Sequence, residues 1–309
     1  MPKHTPHPIT GLVPAVLTPF DSGGVLNLAA IERLAESLLA DGLQAVFVGG
    51  TTGEFSSLTI PERMALARRW LEVARGTPLR ILVHVGSNSL AEARQLAADA
   101  EALGAAAIAT VAPSYVKPRL IDALVDWCVE LAAAAPATPF YFYDIPSMTG
   151  VSFPMPEFLE TAADHIPTLA GLKFTNSDLM AFQRLLRLRD GWFDVVWGFD
   201  EYMLAAWVLG AQGAVGSTYN FAAPLYHRII AAVGVADLAA ARDAQFQSVR
   251  LIGLMIRYGF LAAAKEVMRV RGIDLGPVRL PNPNLTADQA KRFRHELEEI
   301  GFAGDWQKL

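Results

Sequence analysis

Short runs of consecutive apolar residues alternate along this chain with longer stretches whose apolar positions recur every three to four residues. The runs fall at 12–17, 45–48, 81–85, 106–111, 139–143, 170–174, 195–198 and 213–216, and they predict eight strands. Helical patterns occupy 28–40, 61–75, 90–103, 121–134, 157–164, 178–188, 201–209 and 224–233. Asn27 and Ser177 are placed to cap the helices that follow them, and Pro61 suits a first helical turn. Strands that are apolar throughout need cover on both faces, which a parallel sheet flanked by helices provides. Eight such units, ending near residue 233, predict an α/β fold, a closed (β/α)8 TIM barrel, whose usual size is about 250 residues. An open doubly wound sheet is the alternative. It would favour a G-x-G-x-x-G or G-x-x-x-x-G-K loop, and the chain has neither; Gly49-Gly50-Thr51-Thr52-Gly53-Glu54 carries no lysine. Further helical patterns at 236–258, 260–269 and 287–300, with a Gly/Pro-rich connection at 272–283, predict a three-helix C-terminal extension. The expected division is a barrel over 1–235 and a helical extension packed on it over 236–309.

Composition narrows the function more than the fold. Of 309 residues, 52% are hydrophobic and 18% charged, enough for a sizeable core. The mean hydropathy of +0.29 comes from alanine-rich helices such as Leu131-Ala132-Ala133-Ala134-Ala135, and no stretch approaches the roughly 20 apolar residues of a membrane span. A net charge of −5 without a basic stripe argues against a nucleic-acid partner. The start, Met1-Pro2-Lys3-His4-Thr5-Pro6-His7-Pro8, lacks the apolar core of a secretory signal. A single cysteine, Cys128, excludes an intrachain disulfide and reads as a buried thiol. A cytoplasmic location is expected. The six histidines are scattered, and no spacing suggests a metal site.

The chemistry enters at Lys173, inside the apolar run Leu169-Ala170-Gly171-Leu172-Lys173-Phe174-Thr175. A buried ammonium costs several kcal/mol unless it is paired or loses its proton, and a neutral amine attacks ketones. The alternative is that the strand ends at Leu172 and Lys173 points into water. In (β/α)8 enzymes the active site lies at the C-terminal ends of the strands. At those ends this sequence places Thr51 and Thr52, Tyr115, Tyr143, Thr175, then Gly198-Phe199-Asp200-Glu201, then Ser217-Thr218-Tyr219. Each has a plain alternative: turn residues for the threonines and Ser217, a core aromatic for Tyr143, helix-start acids for Asp200 and Glu201. Their shared rim is what points to a Schiff-base enzyme.

These residues resemble the N-acetylneuraminate lyase and dihydrodipicolinate synthase family of class I pyruvate aldolases. The matching stretches are Gly49-Gly50-Thr51-Thr52-Gly53-Glu54, Tyr143-Asp144-Ile145-Pro146, Gly171-Leu172-Lys173, Gly213-Ala214-Val215-Gly216-Ser217-Thr218 and Gly276-Pro277-Val278-Arg279-Leu280-Pro281. Asp144 departs from the pattern, which more often has asparagine. The resemblance implies a (β/α)8 barrel with C-terminal helices, usually a homotetramer, and an imine between Lys173 and pyruvate with no cofactor. It assigns the proton shuttle to Tyr143, the substrate carboxylate to Thr51 and Thr52, and to Tyr115 a reach into the neighbouring subunit's site. Gly198, Asp200 and Glu201 would bind the hydroxyls of a polyol chain, with Thr175 and Ser217 as further polyol or relay contacts. Met148 stands where the synthases usually carry arginine, which favours the lyase branch. The expected reaction is reversible cleavage of N-acetylneuraminate to N-acetylmannosamine and pyruvate. The alternatives are a sister aldolase or dehydratase of another 2-keto-3-deoxy sugar acid, then a dihydrodipicolinate synthase. A metal-dependent aldolase would want a His/Asp/Glu cluster, and only Asp200 and Glu201 are at hand. A barrel that had lost catalysis would be a binding protein, yet Lys173 and Tyr143 are both in place.

Overall fold

Eight parallel strands make the barrel: β1 (Gly11–Pro14), β2 (Ala45–Val48), β3 (Arg80–His84), β4 (Ala107–Thr110), β5 (Phe140–Asp144), β6 (Leu169–Phe174), β7 (Asp194–Trp197) and β8 (Gly213–Gly216). The structure, a computed structural model, describes residues 7–302. Segments 1–6 and 303–309, and with them most of the proline-rich start and the end of the expected extension, lie outside the described residues. Neighbouring strands follow the order β1-β8-β7-β6-β5-β4-β3-β2. A parallel bridge between Ala15 and Phe47 joins β1 to β2 and closes the ring, with the Val16 N–H donating to the Phe47 carbonyl at 3.0 Å.

Alternation along each strand divides the apolar side chains into two layers. Val13, Phe47, Leu82, Tyr141, Tyr143 and Val196 fill the barrel. Leu12, Val46, Ile81, Phe140, Phe142 and Trp197 pack outward against the helices. On β6 the alternation is interrupted. Ala170 belongs to the inner layer, yet Leu172 and Phe174 both belong to the outer one. The cause is a register shift in the β5–β6 pairing: Phe140 pairs with Leu169, but Tyr141 pairs with Gly171. The extra residue re-phases the strand and turns Lys173 inward, opposite Tyr143. Gly171 permits this because a Cβ there would lie 1.8 Å from the Asp194 carbonyl oxygen on β7.

The helix starts differ from expectation in three places. Asp178, not Ser177, caps the helix Leu179–Arg187, its carboxylate accepting from the Ala181 N–H at 2.9 Å. Asn27 caps nothing through its side chain; helix Ala30–Ala40 starts behind Ala29. The last barrel helix begins at Tyr219 rather than Pro224, because a break from helical geometry at Ala222 absorbs the proline's missing N–H. Thr59 and Glu62 form a reciprocal capping box ahead of Ile60–Ala74, with Pro61 in the first turn. Helices Leu238–Tyr258, Phe260–Val270 and Ala287–Glu299 follow the barrel, the first packed along Tyr219–Gly234. Among the described residues no helix is long and apolar enough to cross a membrane.

Replacing Gly171 by alanine should therefore do more than a core substitution usually does. The clash is with backbone, so β6 must shift. Expected are a cost of about 3 kcal/mol or more and loss of the inward lysine, read together by thermal melting and by imine formation with a keto acid. Wild-type behaviour in both would contradict the re-phasing argument.

Candidate active site

Lys173 is 5% exposed and stands among aromatic rings. Its Nζ lies 3.9 Å from the ring centroid of Tyr143 and 4.5 Å from that of Phe47. The Tyr143 hydroxyl lies 3.5 Å from Thr51 Oγ1, so strand β5, strand β6 and the loop after β2 meet at one point. Thr52 Oγ1 is 2.6 Å from Ser217 Oγ, which joins the loop after β2 to the loop after β8.

The Gly49–Glu54 loop is held from behind. Thr18 Oγ1 donates to the Gly53 carbonyl at 2.7 Å. Glu54 adopts a left-handed backbone, φ 56°, that a non-glycine residue takes only at a cost. Its carboxylate is fixed by a buried ion pair with Lys265 at 3.0 Å and accepts from the Arg279 backbone N–H at 2.8 Å. Lys265 also donates to the Pro277 carbonyl at 2.6 Å. A buried pair is worth little over an apolar pair, but losing one partner strands a charge. The helices after the barrel thus brace the loop that carries Thr51 and Thr52.

Asp200 is buried beside β8. Its Oδ2 accepts from Thr218 N at 2.7 Å and from Thr218 Oγ1 at 2.6 Å. The Tyr226 hydroxyl lies 2.6 Å from both Thr218 Oγ1 and Ser248 Oγ, extending the chain of hydroxyls to helix Leu238–Tyr258. A Cβ on Gly216 would lie 1.8 Å from Asp200 Oδ1, so glycine makes room for the carboxylate. Burial raises the Asp200 carboxyl above its ordinary range, opposed by the Thr218 hydrogen bonds and the Lys173 ammonium. Glu201, half-buried, is raised by burial and by the Asp200 charge. Carboxyl oxygens accept from hydroxyls, which is the bonding a polyol offers. Thr175 Oγ1 is buried without a partner, and a Cβ on Gly198 would fall 1.9 Å from it.

Lys173, Tyr143, Thr51, Thr52 and Ser217 are joined by direct contacts, and Thr175, Gly198, Asp200 and Glu201 follow on β6 and β7 ends. Tyr115 stands apart: it is 89% exposed after β4, and its backbone N–H donates to Asn88 Oδ1 at 3.1 Å. Two residues escape the sequence reading. His84 lies inside the barrel with its ring 6.2 Å from that of Tyr143, and Arg63 is buried behind it. The signal for His84 is present in alternation, two residues beyond inward Leu82. Arg63 carries none, because a cation in a helix interior reads as surface. Among the described residues no cluster of three or more His, Cys, Asp or Glu could hold a metal.

Comparison with known proteins agrees with this fold. Residues 8–300 match the model of the dihydrodipicolinate synthetase family. The chain is 38% identical over 298 residues to the N-acetylneuraminate lyase of Mus musculus, covering 95% of this chain and 93% of that protein. The solved structure of Proteus mirabilis N-acetylneuraminate lyase superposes with a TM-score of 0.93 at 37% identity, covering 96% of this chain and 100% of that one. The Aliivibrio salmonicida N-acetylneuraminate lyase superposes equally, TM-score 0.93 at 38% identity over 96% and 98%.

Asp144, where the resemblance leads to the expectation of asparagine, yields a pH-dependent prediction. Its buried side chain accepts from Asn176 Nδ2 at 3.0 Å, and burial pushes its carboxyl up from 3.8 to about 7 despite that bond. The folded chain therefore keeps a proton that the unfolded chain has released. Stability from this group is present below about pH 4 and is lost as pH rises to about 7. Asp144→Asn keeps the acceptor and removes the titration. It should melt several degrees above the wild type at pH 8, a gain on the order of a few kcal/mol, with the gap closing by pH 4. A gap independent of pH would contradict this.

Proposed function

As a member of the dihydrodipicolinate synthetase family, the chain is an N-acetylneuraminate lyase-like class I aldolase, and we propose that it cleaves N-acetylneuraminate reversibly to N-acetylmannosamine and pyruvate through an imine on Lys173. The observation that carries this reading is the meeting of Lys173, Tyr143 and Thr51 at the mouth of the barrel, with Asp200 and Glu201 on the neighbouring strand end.

The Lys173 amine adds to the keto carbon of the open-chain sugar acid and water leaves, giving an iminium. The hydroxyl on the β carbon loses its proton and the bond between the α and β carbons breaks. Its electrons pass into the iminium, so an enamine forms instead of a free carbanion while the amino sugar departs as an aldehyde. Protonation of the enamine at the former α carbon and hydrolysis then release pyruvate and restore the amine. Tyr143, beside Nζ and next to Thr51, carries the proton between the hydroxyl and that carbon. Thr51 and Thr52 hold the carboxylate through hydroxyls and backbone amides. Gly198, Asp200, Glu201, Thr175 and Ser217 take the polyol hydroxyls. Tyr115 serves the neighbouring subunit's site within a homotetramer, in the cytoplasm.

The rim favours a polyol over a second carboxylate. Met148, which stands where the resemblance puts the synthases' arginine, lies exposed on the short helix Pro146–Thr149 and offers no cation for a second carboxylate.

Pyruvate release from N-acetylneuraminate, followed with a coupled dehydrogenase beside a panel of 2-keto-3-deoxy sugar acids, tests this. N-Acetylneuraminate should be preferred by at least about tenfold in kcat/KM, a difference worth about 1.4 kcal/mol. Release from another sugar acid alone would move the chain to a sister activity and overturn the roles given to Asp200 and Glu201.

A further inference from the structure

His84 closes β3 with its side chain inside the barrel, 1% exposed. Its ring meets Phe55 at 4.5 Å, Phe47 at 6.0 Å and Tyr143 at 6.2 Å between centroids. Phe47 and Tyr143 are the two rings that flank Lys173 Nζ. The imidazole thus forms the wall behind the reacting amine.

One of its two ring nitrogens is committed to the loop after β2. Nδ1 lies 2.9 Å from the carbonyl oxygen of Gly49, which can only accept, so we assign the proton to Nδ1. The weaker approach of Arg63 Nη2, at 3.4 Å, does not compete with this. Gly49 has a left-handed backbone, φ 67°, and from it the chain turns into Gly50, Thr51 and Thr52. The bond to Gly49 therefore acts at the hinge of the turn that presents both threonines.

Arg63 locks the arrangement. From helix Ile60–Ala74 it donates through Nη1 to the Gly86 carbonyl and through Nη2 to the His84 carbonyl, both at 2.7 Å. Its guanidinium is buried on uncharged acceptors, with Phe55 at 5.3 Å, and stays cationic at neutral pH although burial lowers it to about 10. Burial, then the positive charges of Arg63 and Lys173, hold His84 well below its ordinary range. A neutral imidazole is thus maintained where a protonated one would add a third cation.

Taking Thr51 and Thr52 as the carboxylate cradle, a reading on which this inference rests, we propose that His84 is a positioning residue: it ties the Gly49 carbonyl and the Tyr143 ring into one unit, so that the keto acid meets Lys173 with its carboxylate already oriented. Such a residue acts on substrate affinity rather than on bond cleavage itself.

The test compares His84→Phe, which keeps a ring and loses the donor, with His84→Asn, whose amide nitrogen can occupy the place of Nδ1. The readouts are KM and kcat for pyruvate release from the sugar acid that the wild type accepts, inhibition by added pyruvate, and the melting temperature as a check on folding. His84→Phe should raise both KM and the pyruvate inhibition constant about tenfold, the loss of one well-placed hydrogen bond, with kcat changed less than about threefold. His84→Asn should recover most of the affinity. Should His84→Phe fail to fold, Arg63→Lys, which keeps the charge but cannot cap both carbonyls, should show the same rise in KM. A KM within twofold of wild type for the variant that folds, or His84→Asn no better than His84→Phe, would overturn the proposal. A wild-type protein that releases pyruvate from no 2-keto sugar acid would instead overturn the functional reading.

Discussion

The extra residue in β6 is the constraint on which the rest of the site depends. With unbroken alternation from Ala170, Leu172 would enter the barrel and Lys173 would face the helix layer. The shift opposite Phe140 and Tyr141 reverses this, and it exists only because Gly171 lets β6 and β7 approach closely. A lysine turned into a barrel interior gives up hydration, a cost of several kcal/mol if nothing compensates. Here the rings of Tyr143 and Phe47 present their electron-rich faces to the ammonium, and a buried carboxyl, Asp200, lies within electrostatic reach. The fold thus holds the amine among aromatic rings near the C-terminal end of β6.

Around that amine the polar groups are fixed by structure that has nothing to do with substrate. Glu54 and Lys265 clamp the loop after β2, while Thr218, Tyr226 and Ser248 carry the Asp200 carboxylate back to a helix beyond the barrel. Gln245 on that same helix donates to the Asp200 carbonyl at 3.2 Å and accepts from the Leu204 N–H at 2.7 Å. The helices after the eighth unit therefore brace two separate parts of the rim, so a stability change in them would be felt at the site. Pre-organisation of this kind lets hydroxyls and carboxyl groups meet a substrate without first paying to order themselves.

Much of this was legible in the sequence because barrel strands buried on both faces read as uninterrupted apolar runs, and the reactive residues follow those runs. The run around Lys173 identified the strand but not the face, since a bulge leaves no mark on composition. Asp178 outcompeted Ser177 as a cap because its carboxylate sits one residue closer to the free N–H groups. Pro224 hid the true start of its helix, as proline reads as a first-turn residue and the break at Ala222 is a tertiary accommodation. His84 is one of six scattered histidines, and only its position two beyond inward Leu82 on a strand end marks it. Arg63 could not be found without the fold, because its partners are backbone carbonyls. For Asp200 the sequence offers either a helix-start acid or a polyol ligand, and the structure adds that one of its oxygens is committed to Thr218.

The central claim is that Lys173 is the amine that becomes the imine. Reduction with borohydride in the presence of pyruvate, followed by digestion and mass analysis of the peptide that spans β6, tests it most directly. The account predicts a stable adduct on Lys173, dependent on pyruvate and absent from Lys173→Arg. An active enzyme recovered with Lys173 unmodified, or an adduct on another lysine, would contradict it.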